Sequence, residues 1–128
     1  MELTSQQALH MWHQVVTQSL VAFDVDLSAR QMAVMLTVYL SNQPHGVKTL
    51  SSALNISKPA VCRAIDCLAA NGLVKRKRDE EDRRNVTVQR TIKGSVFLTE
   101  LGEMIASHAR RMATVKPAPM PVSELTAA

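Results

Sequence analysis

Basic side chains that could bind phosphate groups are concentrated in one short part of the chain. They are Lys75, Arg76, Lys77 and Arg78, followed by Arg83, Arg84, Arg90 and Lys93. The 128 residues carry a formal net charge of +4, so a polyanion is a favourable partner. An isolated basic run is usually a solvated hairpin that aids solubility. Whether this run binds a polyanion depends on the secondary-structure elements next to it.

The residues before the basic run predict a helix over residues 57–71. Ser57 is a favourable N-cap, Pro59 is tolerated in a first turn, and Gly72 permits a left-handed stop. At about 100° per residue, Val61, Ala64, Ile65, Leu68 and Ala69 share an apolar face. The remaining surface is small and polar enough to enter a DNA major groove, which is about 12 Å wide. The predicted groove contacts are Ser57, Lys58, Pro59, Ala60, Cys62, Arg63 and Asp66, with Arg63 the main candidate for binding guanine.

The flanking segments complete a winged helix-turn-helix. Residues 49–54 predict a short helix capped by Thr49, and Asn55-Ile56 forms the turn into Ser57. Residues 73–91 predict a hairpin, the wing, with an acidic and then basic tip between its strands. The sequence therefore predicts a mainly α fold with a small β-hairpin. In an alternative interpretation, the protein has the same fold but is an interaction module or adaptor whose basic wing binds an acidic protein.

Several motifs, in this order along the chain, resemble the MarR family of bacterial transcription regulators. They are Leu27-Ser28-Ala29-Arg30-Gln31, the stretch Ser57–Leu68, Asn71-Gly72-Leu73-Val74, the set Asp79, Asp82 and Arg84, and Thr91-Ile92-Lys93-Gly94. The resemblance implies a regulator, more often a repressor, that binds double-stranded DNA. The chain departs from the family pattern at Ala60 and Cys62, which replace residues with hydroxyl groups, and at Arg90, which replaces a buried leucine.

The resemblance also assigns roles in the wing. Arg84 is expected to enter the minor groove, while Asp79 and Asp82 brace the tip. The basic residues expected at the wing and the DNA phosphates are Lys75, Arg76, Lys77, Arg78, Arg83, Arg84 and Arg90. In the family, a small lipophilic effector often binds between the dimer lobe and the DNA-binding head. Here Trp12 and Tyr39 either line such a cleft or are ordinary core residues.

Helices outside the winged segment carry more apolar surface than one chain needs. Helices are predicted over residues 5–23, 28–42 and 92–115 within a single domain of residues 1–115, and Ser28 and Gln31 are predicted to form a capping box in the second of them. Residues 116–128 form a Pro-rich tail that is predicted to be disordered. The apolar surface of the first and last helices either packs internally or forms a homodimer. The residues predicted to form the dimer are Ala8, Met11, Trp12, Val15, Leu98, Leu101, Ile105 and Met112. A twofold dimer predicts an inverted-repeat DNA site with half-sites about 34 Å apart.

Other chemistry finds little support in the sequence. Cys62 and Cys67 point about 140° apart on one helix, so they are either packing residues or a redox switch without an internal disulfide. His10 and His13 have a spacing that suits a metal, but no further ligand lies nearby. His45 is predicted to be a surface residue in a turn. We therefore predict no enzyme activity, catalytic residue, metal or cofactor, and a cytoplasmic protein associated with the nucleoid, because no membrane span or signal peptide is evident.

Overall fold

The structure is a computed structural model that describes residues 2–42, 44–78, 80–81 and 84–112. The predicted tail of residues 116–128, and with it Asp79, Asp82 and Arg83, lies outside the described residues. The elements in chain order are α1 (Ser5–Ala22), α2 (Ala29–Leu40), β1 (His45–Gly46), α3 (Val47–Leu54), α4 (Lys58–Ala70), β2 (Val74–Arg78), β3 (Val86–Arg90) and α5 (Ile92–Met112). This is the mainly helical winged fold that the sequence predicts. Among the described residues, no helix is long and apolar enough to cross a membrane.

The described residues divide into two compact units. One comprises Val25–Thr99 and contains the helix-turn-helix and the sheet, whereas the other comprises the residues before Val25 and those from Glu100 onward. The core of the first unit is built from α2, α3, α4 and the inner side of the sheet. Its most deeply buried side chains include Met35, Val38, Leu50, Val61, Ile65, Leu68 and Leu73.

Helix α2 begins as its sequence predicts. The Ser28 hydroxyl accepts a hydrogen bond from the Gln31 backbone N–H at 3.2 Å, and the Gln31 side chain accepts one from the Ser28 N–H at 2.9 Å. This reciprocal pair is a capping box, which satisfies two backbone donors that a helix start leaves open. Val34, Met35 and Val38 are buried along the helix. Helix α2 is therefore a core element of the first unit.

The sheet has a third strand that the sequence did not predict. Strand β1 has only two residues, and it pairs with β3 through His45 opposite Val88 and Gly46 opposite Thr87. The strand order is β1-β3-β2, and both pairs are antiparallel. A two-residue strand is too short to show alternation of polar and apolar residues. The prediction of His45 as a surface residue is wrong, since pairing at the sheet leaves its side chain only 7% exposed.

The Tyr39 hydroxyl joins three segments of this unit. It donates to the Leu73 carbonyl at 2.5 Å and accepts from the Thr91 N–H at 3.0 Å. The Thr91 hydroxyl in turn donates to the Gly72 carbonyl at 2.7 Å. Gly94 lies against this cluster so closely that a methyl group there would overlap the Tyr39 hydroxyl and the Leu73 carbonyl. The cluster fixes the end of α4 and the start of α5 against α2.

The second unit contains α1 and the C-terminal part of α5. Helix α1 begins with a capping box of Thr4 and Gln7. His108 is 5% exposed, and its Nε2 atom lies 2.5 Å from Oε1 of Gln18. In contrast, four apolar side chains on α1 are 39% to 61% exposed at helical spacing, and they form a continuous stripe. The stripe consists of Leu9, Trp12, Val16 and Leu20.

The predicted dimer residues are only partly available on the surface. Val15, Leu101 and Met112 are between 1% and 9% exposed in the single chain, so they are core residues and the prediction of a dimer role for them is wrong. Their positions along the helices place them on the inward side, which sequence spacing alone did not distinguish from the neighbouring stripe. Trp12 is 54% exposed, and Ala8, Met11, Leu98 and Ile105 are partly exposed. Only the latter residues remain available to a second chain.

Candidate DNA interface

Helix α4 has the two ends that its sequence predicts. The Ser57 hydroxyl accepts from the Ala60 N–H at 3.2 Å, and Pro59 lies in the first turn. At the other end, Gly72 has a φ of 73°, and the Leu73 N–H bonds the Leu68 carbonyl at 2.9 Å. This bond, together with that from the Gly72 N–H to the Ala69 carbonyl, forms a Schellman motif. Both helix ends are therefore set by local interactions.

All but one of the residues predicted to enter the major groove are exposed on or next to α4. The exposed members are Ser57, Lys58, Pro59, Cys62, Arg63 and Asp66. Ala60, however, is only 6% exposed, so its predicted contact with DNA is wrong. It precedes the buried Ala64 by four positions and therefore shares the inner face of the helix. The surface offered by α4 thus has two cations, Lys58 and Arg63, and one carboxylate.

The turn into α4 is held by local hydrogen bonds. Asn55 adopts the left-handed conformation with a φ of 54°, and the Ser51 hydroxyl donates to the Ile56 carbonyl at 2.6 Å. Helix α3 begins at Val47 and is capped by Gly46, so the prediction of Thr49 as its cap is wrong. The Thr49 hydroxyl lies within the first turn and accepts from the Gly46 N–H at 2.9 Å. The angle between α3 and α4 is therefore defined by the backbone at Asn55.

The basic run is divided between the two faces of the wing. In the register of β2 with β3, Arg76 lies opposite the buried Val88, and Lys75 lies opposite Gln89. Paired residues share a face and successive residues alternate, so Arg76 and Arg78 lie on the face toward α4. Lys75 and Lys77 lie on the opposite face, which we call the outer face. The sequence predicts phosphate contacts for all four residues but does not show that they lie on two different faces.

An ion pair connects the wing to α4. The Arg76 guanidinium pairs with the Asp66 carboxylate, and the two side chains are 44% and 66% solvent-exposed. An exposed pair contributes only about 0–1 kcal/mol to stability, so its main effect is on position. It neutralises the carboxylate on the groove face of α4 and holds Arg76 next to that face. Both residues are among the predicted site residues, but the sequence contains no signal that they form a pair, because the pairing depends on the register of β2 with β3.

Arg90, which is predicted to contact DNA phosphates, instead donates hydrogen bonds to backbone carbonyls within the chain. Its Nε donates to the Val38 carbonyl at 3.0 Å, and its Nη2 donates to the Ser41 carbonyl at 2.6 Å. These carbonyls belong to the end of α2, which a cation stabilises. The guanidinium also lies 6.0 Å from the centre of the Tyr39 ring. The replacement of a leucine by Arg90 is therefore accommodated by capping α2.

The remaining candidate residues are Arg84 and the two cysteines. Arg84 is exposed next to β3. Cys62 is an exposed free thiol and Cys67 is a partly buried one, with the Asn71 side chain donating to the Cys67 carbonyl at 2.9 Å. Within the described part of the chain, no three histidine, cysteine or acidic side chains are grouped as a metal site would require.

Comparison with known proteins bears on the segment that contains these residues. The MarR family model matches residues 27–86, which include α2, α3, α4 and β2. These residues therefore carry the sequence pattern of the MarR family. The motifs of the sequence that carried the resemblance, other than the one after β3, fall within or overlap the matched range. A comparison with curated proteins gave no significant match.

Solved structures show the same fold over most of the chain. Rv1404 from Mycobacterium tuberculosis is 22% identical with a TM-score of 0.69, over 94% of this chain and 83% of that one. Tm0710 from Thermotoga maritima, a transcriptional regulator, is 22% identical with a TM-score of 0.67, over 84% and 75% of the two chains. The transcriptional repressor CouR, bound to a 23-mer DNA duplex, is 24% identical with a TM-score of 0.66, over 84% and 73%. These likenesses show that the chain shares its fold with these proteins beyond the matched segment.

Proposed function

We propose that the protein is a sequence-specific, DNA-binding transcription regulator that inserts α4 into the major groove. The observation that carries the proposal is the exposed face of α4, capped at both ends, with Lys58 and Arg63 on it and the arginines of β2 beside it. Phosphate contacts supply affinity, and base contacts supply specificity. The MarR-type segment and the DNA-bound structure of CouR support this assignment.

The contacts follow from the two faces of the wing. Arg63 is the residue we propose to bind guanine, because a guanidinium can donate to both acceptors on that base. Arg76 and Arg78 lie toward α4 and are proposed to hold phosphates there. Arg84 is proposed to enter the minor groove, and the resemblance to the MarR family suggests Asp79 and Asp82 as the residues that orient it. Lys75 and Lys77 attract DNA from the outer face. Arg83 is proposed to bind phosphate as well, whereas Arg90 serves chiefly to cap α2.

The exposed stripe on α1 supports a homodimer. Leu9, Trp12, Val16 and Leu20 form an apolar surface of the kind that soluble proteins usually cover with a partner. A second copy of the chain brings an identical stripe and closes the assembly by twofold symmetry. We propose that such a dimer, acting in the cytoplasm on the nucleoid, binds an inverted repeat as a repressor.

A salt titration of DNA binding tests the proposed function against the adaptor alternative. Binding through several phosphates should lose affinity steeply, with a slope of about −0.9 for each phosphate neutralised in a plot of log K against log salt. If the protein is instead a protein-binding adaptor, we expect no mobility shift of a DNA duplex at protein concentrations below about 10⁻⁴ M, or a slope of log K against log salt near zero. Either of these two results would refute DNA binding.

Arg63→Ala should change sequence preference as well as affinity. Loss of a bidentate contact to guanine costs about 1–3 kcal/mol and relaxes the choice of base at that position. Lys77→Ala, on the outer face, should instead weaken binding to all sequences to a similar extent. Affinities of both variants for the preferred site and for an unrelated duplex provide the measurement. Equal losses on both duplexes for Arg63→Ala would show that it does not read a base.

Cys62 offers a chemical probe of the same surface. Because its thiol is exposed on the groove face of α4, bound DNA should slow its alkylation by N-ethylmaleimide, and prior alkylation should block DNA binding. The Cys62→Ser variant, in which only the partly buried Cys67 remains, controls for the second thiol. Mass spectrometry of the alkylated peptide with and without DNA gives the rates. An unchanged rate at Cys62 in saturating DNA would place the interface elsewhere.

A further inference from the structure

A groove of about 560 Å³ lies between the segment that follows α2 and strand β3. It exists because β1 pairs only with Thr87 and Val88, so that the residues after Val88 on β3 have no strand on that side. Small-molecule sites in proteins have volumes of about 300–1,000 Å³, so the groove is large enough to hold a small ligand. Val38, Pro44 and Val88 form its apolar part.

Two cations line this groove, and one of them is held in place. Arg90 is fixed by its hydrogen bonds to the carbonyls of Val38 and Ser41, which use two of the five N–H donors of its guanidinium. The other donors remain available to a ligand without a cost for ordering the side chain. Lys75 reaches the groove from β2 and has no carboxylate partner among the described residues.

Two side-chain amides and a histidine complete the polar lining. Asn42 and Gln89 contribute side-chain amides, and His45, which is 93% buried, lies with its Nε2 3.3 Å from the Ser41 hydroxyl. None of the described lining residues is acidic. The groove therefore presents an excess of hydrogen-bond donors and two positive charges to whatever occupies it.

We propose that this groove binds the phosphoryl group of a small phosphate monoester. Such a group carries a charge of about −1.5 to −2 at pH 7 and three acceptor oxygens, which match Lys75, Arg90 and the amide donors. A carboxylate has a single charge and would leave one cation unpaired. A cationic ligand is excluded by Lys75 and Arg90.

A phosphoryl group could come from a free ligand or from the DNA backbone, and the titration below separates these two sources. Lys75 lies on the outer face of the wing, whereas Arg76, the next residue, pairs with Asp66 of α4 on the opposite face. Val88 and Arg90 share the face of Arg76, so the groove lies at the open edge of β3 and takes lining residues from both faces of the sheet. This inference does not depend on whether α4 binds DNA.

Titration of ¹⁵N-labelled protein with glycerol 3-phosphate, followed by backbone amide shifts, tests the proposal. Shifts should saturate and be largest at Ser41, His45 and Gln89. Lys75→Gln should weaken binding about tenfold, because it removes one charge-assisted hydrogen bond. Lys77→Gln, two residues along on the same face but outside the groove, should change it less than about twofold. Acetate at equal ionic strength should bind at least about tenfold more weakly than the phosphate ester.

Three results would overturn the proposal. Equal effects of Lys75→Gln and Lys77→Gln, or equal binding of acetate and glycerol 3-phosphate, would show unspecific attraction of anions to a basic wing. Shifts centred on Arg63 and Arg76 would show that the ester mimics a DNA phosphate on the α4 side. Addition of a short duplex to the loaded protein separates the two sources, since a free-ligand site keeps its shifts when DNA is bound.

Discussion

Gly94→Ala should destabilise the protein more than any other single-methyl change in its helices. The added methyl group would overlap the Tyr39 hydroxyl and the Leu73 carbonyl, and a backbone carbonyl cannot move aside without shifting the end of α4. Overpacking of this kind costs about 1–3 kcal/mol, and disturbing the hydrogen bonds of a buried cluster adds to it. Thermal unfolding at a fixed protein concentration measures the effect, and DNA affinity should fall with it because α4 is displaced.

Gly102→Ala is the matched control for this prediction. Gly102 lies in the same helix, α5, and has no atom within 4 Å of the added methyl group. Alanine at such a position should stabilise the helix by about 0.5–1 kcal/mol. The double variant Gly94→Ala with Tyr39→Phe should cost less than the sum of its single variants, since phenylalanine removes one of the overlapping atoms. Equal stability of Gly94→Ala and Gly102→Ala would mean that the helix does not pack on Tyr39 as described.

Trp12→Lys should convert the proposed dimer to a monomer and remove most of its affinity for an inverted repeat. The substitution places a charge at the centre of the apolar stripe of α1, where an unpaired charge would be buried by the second copy. Loss of the linked second head should lower affinity about 10²-fold or more, because the two half-sites no longer bind together. Sedimentation equilibrium gives the association state, and titration of a two-half-site duplex gives the affinity.

Val21→Lys controls for the added charge. Val21 is 90% exposed and lies nine residues from Trp12, about 180° around α1, so it is outside the stripe. This variant should remain a dimer and bind DNA at least as well as the unaltered chain. If Trp12→Lys also remains a dimer, the stripe is not the interface and the dimer, if one forms, uses another surface.

Features that depend on a few neighbouring residues were predictable from the sequence. The N-caps at Ser28 and Ser57 and the stop at Gly72 are set by interactions within one turn of chain, and all three have the expected geometry. The exposed face of α4 also follows from helical periodicity. Ala60 is the exception, because its spacing to Ala64 places it on the inner face although its small size is compatible with contact in a groove.

Features that depend on pairing between distant segments were not predictable in this way. The split of the basic run into two faces, and the pairing of Arg76 with Asp66, require the register of β2 with β3. Arg90 caps α2 across 52 residues of sequence, and His45 is buried by a strand of two residues. Propensity and periodicity are local quantities, so they contain no information on these contacts.

Selection of duplexes from a random pool by the intact chain tests whether α4 binds DNA in a sequence-specific way. We expect enrichment of an inverted repeat with half-site centres about one helical turn apart, with a guanine position that Arg63→Ala no longer selects. Failure to enrich any sequence, in buffer of low ionic strength where phosphate contacts are strongest, would contradict sequence-specific DNA binding through α4.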